Sequence, residues 1–240
     1  MIAPRIKICG ITNPTDAMAA AQASADWLGL IFVPNTPRFV PLESAKEMMR
    51  QLRVTHPKVE VVGVFQNQSL PEIEHYLQIL NLDRVQLHGQ ESPDFCAQIS
   101  VPVVKTLLLH PELPQRSELE ISALHRQAAA FLEIPQVQTL LLDLPKGSGS
   151  SSVLDMARSD ADTETLRAFL SDFPCLLAGG LTPDNIQQAL QTFQPAGVDV
   201  ASGVEQGPGQ KDIDQIKRFC HSVKNFKPQP NHGENASCNP

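Results

Sequence analysis

A thiol, two carboxyls, an arginine and two glycine turns are the groups in this chain whose types and spacing could do chemistry. An apolar run near the N-terminus ends Lys7-Ile8-Cys9-Gly10. Strand alternation there sends Ile6 and Ile8 to one face and Lys7 and Cys9 to the other. A cysteine beside a cation has its thiolate favoured, the form a base or nucleophile needs. The competing reading is a small buried cysteine without a role. Thr139-Leu140-Leu141-Leu142-Asp143 is a second apolar run, and it ends on a carboxylate that either faces an active-site mouth or caps the next loop. Asp199, flanked by Val198 and Val200, should be buried, and a buried acid needs a partner. Lys7 is the obvious one, so a structural ion pair comes first and tuning of Cys9 second.

Anion binding has its own signature. Leu177-Ala178-Gly179-Gly180-Leu181-Thr182-Pro183 and Gly197-Val198-Asp199-Val200-Ala201-Ser202-Gly203 each run from a short strand directly into small residues. Glycines at a strand end let a ligand approach the backbone, whose free amides suit an anion. Thr182 is expected to cap the helix that follows, with Pro183 at its first position. Arg38 lies in a loop braced by Pro34 and Pro37, and its planar donors suit a carboxylate or phosphate; a merely solvated arginine is the alternative. His88, at the end of Gln86-Leu87-His88-Gly89, is either a general base or a hydrogen-bonded packing residue. The other histidines show no metal-ligand spacing, and the dinucleotide fingerprint is absent.

These residues need strands and helices in a fixed order to meet. Strands are expected near Arg5–Cys9, Trp27–Phe32, Val59–Phe65, Arg84–Leu87, Val101–Thr106, Val137–Leu142, Cys175–Ala178 and Gly197–Val200. Helices are expected near Pro14–Ala23, Leu42–Leu52, Pro71–Leu80, Pro93–Ile99, Glu118–Phe131, Thr163–Ser171, Pro183–Thr192 and Asp212–Lys224. Strict alternation implies a parallel sheet with helical crossovers. An open doubly wound sheet is the main competitor. The paired glycine turns at the last two units favour a single (β/α)8 TIM barrel of the α/β class over residues 1–224, whose active-site loops follow the strands. The Ser/Gly-rich stretch Asp143–Asp162 is expected to be a mobile loop. Residues 225–240, rich in Pro and Asn and poor in apolar side chains, are expected to form a disordered tail.

Composition bounds the partners. The 240 residues include 42% hydrophobic side chains, enough for one well-buried core, and carry a net charge of −7, which gives nucleic acid no electrostatic support. No apolar run approaches the roughly 20 residues that span a bilayer. Five widely spaced cysteines with no C-x-x-C pair argue against disulfides and zinc and for a reducing, cytoplasmic setting. The expected partner is a small phosphorylated molecule, bound by a monomer or a homodimer.

KICGIT at Lys7–Thr12, GLIFVPNTPRFV at Gly29–Val40, GVFQN at Gly63–Asn67, VQLHG at Val85–Gly89, LAGGLTP at Leu177–Pro183, and Gly197–Glu205 with Pro208–Asp212 together resemble the phosphoribosylanthranilate isomerase family. The match is colinear over about residues 5–224. The resemblance implies an Amadori rearrangement of N-(5′-phosphoribosyl)anthranilate in tryptophan biosynthesis, without metal or organic cofactor. It implies Cys9 as the base at C2′, Asp143 as the acid at the furanose oxygen, and Arg38 on the anthranilate carboxylate. Gly179, Gly180, Ser202 and Gly203 would hold the phosphate, and Lys7, His88 and Asp199 would be supporting residues. One segment departs from the family. Where its members carry Gly-Gly-Thr-Gly and then a Phe-Asp-Trp-like triplet, this chain has Lys146-Gly147-Ser148-Gly149 and then Ser150–Met156, with no aromatic residue. That difference bears on rate, substrate fit or loop closure. Two other readings share the phosphate turns: another phosphosugar-acting barrel, and a catalytically weakened relative that binds a phosphorylated ligand.

Overall fold

In a computed structural model, which describes residues 3–109, 118–144, 152–156 and 159–227, eight parallel strands close into a barrel in chain order. The strands are β1 (Arg5–Cys9), β2 (Trp27–Ile31), β3 (Glu60–Phe65), β4 (Arg84–Leu87), β5 (Val103–Leu108), β6 (Val137–Asp143), β7 (Cys175–Leu177) and β8 (Gly197–Val200). The helices are α1 (Pro14–Gln22), α2 (Leu42–Thr55), α3 (Leu70–Leu80), α4 (Pro93–Cys96), α5 (Glu118–Leu132), α6 (Asp160–Asp172), α7 (Ile186–Phe193) and α8 (Ile213–Lys224). β1 pairs with both β2 and β8, so the sheet is closed rather than open. Much of the Asp143–Asp162 loop, including the departing segment Lys146–Gly149, lies outside the described residues. So do the expected tail from residue 228 onward and Cys238.

Alternation along the strands builds two cores. Ile6, Ile8, Leu28, Leu30, Leu87, Leu140 and Leu142 pack outward with the helices. Trp27, Val62, Val104, Leu141, Leu176 and Ala178 fill the barrel interior. Local chemistry sets most helix starts. Asn13 caps α1 by accepting from Asp16 N at 2.9 Å, and Asp212 caps α8 through Asp214 N and Gln215 N. Ser69 and Glu72 form a capping box at α3.

Boundaries moved for physical reasons in β5, α4 and α7. β5 begins at Val103 rather than Val101 because Pro102 has no N–H for the ladder. It then runs on to Leu108, which lies opposite Asp143. α4 is a single turn ending at Cys96, after which Gln98 and Ile99 donate to Phe95 and Cys96 in tighter three-residue turns. α7 starts at Ile186 rather than Pro183. Before it, Thr182 N donates to Asn185 Oδ1 at 2.8 Å and Asn185 N to Thr182 Oγ1 at 3.3 Å, closing a turn of their own. After α8, Phe226 still packs against the core, so ordered contacts pass the Lys224 boundary. An element absent from the sequence reading follows β8: a short antiparallel hairpin, β9 (Glu205–Gly207) with β10 (Gln210–Lys211).

Candidate active site

Lys7, Cys9 and Asp199 meet inside the barrel, near the C-terminal ends of adjacent strands. Lys7 lies opposite Asp199 on β8 and opposite Trp27 on β2, and Cys9 lies opposite Gly29. Gly29 leaves the room this needs, since a Cβ there would stand 2.7 Å from Cys9 Sγ and 3.2 Å from Lys7 Nζ. Lys7 is 0% exposed and donates to Asp199 Oδ1 at 3.0 Å. A buried cation without such a partner would be strongly destabilising. Burial pulls the Lys7 pKa down, but Asp199 and Cys9 outweigh it and hold the ammonium above its ordinary value.

The thiol overturns one expectation. Its pKa lies above the ordinary thiol value, although the sequence reading had Lys7 favouring the thiolate. Burial raises it most; Lys7 lowers it by charge and hydrogen bond, but Asp199 opposes Lys7. Asp199 thus offsets part of the effect of Lys7 on the sulfur, and burial decides the direction. Cys9 still differs from the other described cysteines. Cys175 and Cys220, pushed up to about 12, and Cys96, at about 11, are all raised chiefly by burial. Cys9 alone of these shares a hydrogen bond with an ammonium.

Asp143 closes β6 and is half-buried, with Oδ1 accepting from Leu144 N at 2.8 Å. It continues the alternation of Leu141, an interior residue, so its side chain faces the barrel mouth. Cys9 and Asp143 therefore point inward from the same end of the barrel. On β4 and β5, Gln86 Nε2 donates to Thr106 Oγ1 at 3.3 Å and lies 3.4 Å from His88 Nδ1, which is 3.2 Å from that hydroxyl. His88 is thus part of a polar cluster facing the interior. Leu108, which also faces the mouth opposite Asp143, is among the described residues one of the few large apolar side chains left exposed.

The two glycine turns form one cradle. Gly179 and Gly180 have φ of 97° and 64°, which favours glycine at both positions. Ser202–Val204 form a single 3₁₀ turn, and a side chain at Gly203 would collide with the Leu181 carbonyl. The turns after β7 and β8 are thereby in direct contact, with Asn185 Nδ2 holding the Gly180 carbonyl at 2.9 Å.

Arg38 is engaged differently from the sequence reading. Its Nε donates to Glu205 Oε1 at 2.8 Å and its Nη2 to Oε2 at 2.7 Å. A protein carboxylate therefore takes one edge of the guanidinium, and among the described residues no hydrogen bond is made at Nη1. Lys211, which is almost wholly buried, shares the same carboxylate at 2.8 Å. Burial pulls its pKa down despite Glu205. Glu205 itself is held below the carboxylate range, since Arg38 and Lys211 outweigh the effect of burial. Sequence reading gave Glu205 and Lys211 no role. Glu205 and Arg38 are 167 positions apart, and no local pattern joins them.

With this geometry in place, comparison with known proteins decides the family. A family model described as N-(5′-phosphoribosyl)anthranilate (PRA) isomerase matches residues 6–222. The chain belongs to the phosphoribosylanthranilate isomerase family. It is 38% identical over 222 residues to the N-(5′-phosphoribosyl)anthranilate isomerase of Rippkaea orientalis, a match covering 92% of this chain and 97% of that protein. The phosphoribosyl anthranilate isomerase of Thermotoga maritima superposes with a TM-score of 0.76 at 32% identity, covering 93% of this chain and 100% of its own. A phosphoribosyl anthranilate isomerase solved with reduced 1-(o-carboxyphenylamino)-1-deoxyribulose 5-phosphate superposes at 0.72 with 30% identity, over 93% and 100% of the two chains. The closed barrel expected from the glycine turns is the architecture these structures share.

Proposed function

We propose that this isomerase converts N-(5′-phosphoribosyl)anthranilate to 1-(o-carboxyphenylamino)-1-deoxyribulose 5-phosphate, with Cys9 as general base and Asp143 as general acid. The family match along residues 6–222 carries the reaction. The inward placement of a thiol and a carboxyl at one end of the barrel supports their roles.

Asp143, protonated, gives its proton to the furanose ring oxygen as the C1′–O bond breaks. The anilino nitrogen supplies the electron pair and becomes a Schiff base, which acidifies C2′. Cys9 thiolate removes the C2′ proton, leaving an enol-amine that tautomerises to the aminoketone as C1′ gains a proton and the C2′ hydroxyl loses one. Each positioned proton transfer is worth on the order of 10²- to 10⁴-fold. Lys7 keeps a positive charge beside sulfur as it gains and loses its proton. The substrate's two anionic ends would fix the sugar between acid and base, the phosphate on the amides near Gly180 and Gly203 and the carboxylate on the open edge of Arg38, so that binding energy becomes orientation.

The test is to generate phosphoribosylanthranilate in place, add the purified protein and follow loss of anthranilate-type fluorescence. Turnover is the expected result. An inactive protein that instead converts another pentose phosphate would establish the rival barrel enzyme.

A further inference from the structure

We infer that Glu205 is a positioning residue for this isomerisation, one that sets the plane of Arg38 and ties the carboxylate end of the substrate site to the phosphate end. The inference rests on the reading of Arg38 as the substrate-carboxylate anchor. A single contact would let a long side chain on a loop swing. Glu205 instead takes Nε and Nη2 together, the two-point fork that fixes a guanidinium in its own plane. The Arg38 stem meanwhile lies over Gly10, the residue after Cys9, where an added Cβ would stand 2.7 Å from its Cδ. Fork and stem together leave one edge of the guanidinium to face a ligand.

The hairpin carrying Glu205 is anchored on both sides of the site. Lys211 Nζ donates to Glu205 and, at 2.9 Å, to the carbonyl of Ala201, the residue before the Ser202–Val204 turn. Lys211 N donates to Asp16 Oδ2 at 3.2 Å, and Thr12 Oγ1 to the Gly209 carbonyl at 2.7 Å, so β10 is held against the loop and helix that follow β1. Gly209 also abuts the Pro37 carbonyl, beside Arg38. One carboxylate therefore references the arginine to the phosphate turn. Charge agrees: Arg38 and Lys211 against Glu205 leave one positive charge, the complement of one substrate carboxylate.

Steady-state kinetics of Glu205→Gln, Arg38→Ala and the double variant test this, with melting temperature and inorganic phosphate affinity measured alongside. Glu205→Gln should lower kcat/KM by on the order of 10²-fold, mainly through KM, while phosphate binds as before. In the Arg38→Ala background the same change should have no further effect, which a merely structural role would not produce. Glu205→Asp keeps a charge for Lys211 but withdraws the fork, and should fall between wild type and Glu205→Gln. If Glu205→Gln does not fold, a loss in Glu205→Asp that disappears in the Arg38→Ala background supports the inference. Wild-type kinetics in either Glu205 variant, or additive losses in the double variant, would overturn it. Absence of turnover by the unaltered protein would instead overturn the isomerase reading.

Discussion

The two ends of the barrel solve the same electrostatic problem in opposite ways. At the strand starts, Arg5 and Arg84 stack on Trp27, their guanidinium carbons 4.8 and 4.6 Å from its ring centroid. Arg84 is also paired with Glu60 at 2.7 Å. Those charges are spent on one another and on a large ring that plugs the interior, and cation–π contacts of this kind contribute about 0.5–2 kcal/mol. At the strand ends, Lys7 and Asp199 also pair, yet Cys9 and Asp143 remain turned toward the mouth. Charge pairing inside a barrel therefore does not by itself mark a reaction centre. What separates the strand ends is a thiol and a carboxyl that still face the open mouth.

The contrast breaks most sharply at Cys9 and Asp143. Cys9→Ser and Asp143→Asn should each cut turnover by on the order of 10²- to 10⁴-fold, as fluorescence kinetics would read, with little change in melting temperature. Equal losses of stability and rate would merge the two ends. Next comes Trp27→Ala, which should cost about 3–5 kcal/mol in denaturant unfolding while kcat per folded molecule stays near wild type. A selective loss of kcat would show that the lower plug takes part in catalysis. The pH profile gives the finest test. The base must be deprotonated, and burial holds the Cys9 thiol above its ordinary range. In Asp143→Asn, whose residual rate no longer depends on ionisation of the acid, turnover should therefore climb about tenfold per pH unit from neutrality until it levels off above that range. A plateau already present at pH 7 would show that Lys7 wins over burial.

How much was legible depended on how local each determinant is. Alternation in Arg5–Cys9 and Gly197–Val200 recovered both strands to the residue, because β-branched and apolar side chains at period two leave little choice. The same alternation turned Lys7 and Cys9 inward, and the expected burial of Asp199 between two valines called for the cation across the ladder. The start of β5 was misjudged where Pro102 interrupts an otherwise continuous apolar run. The hairpin of Glu205–Gly207 and Gln210–Lys211 escaped notice because it is short, polar and stabilised by distant residues.

Residue order alone determined the alternating units, the two glycine turns and the set of groups able to move protons, since each follows from periodicity or side-chain chemistry within a few positions. Only the closed barrel decided that Asp199 would oppose Lys7 in holding the Cys9 thiol high, and that Glu205 would claim one edge of Arg38. The first is a balance of burial against charges far apart in the chain and close in space, and the second a pairing of two such charges. Their sign is set by distance and burial, which exist only after folding.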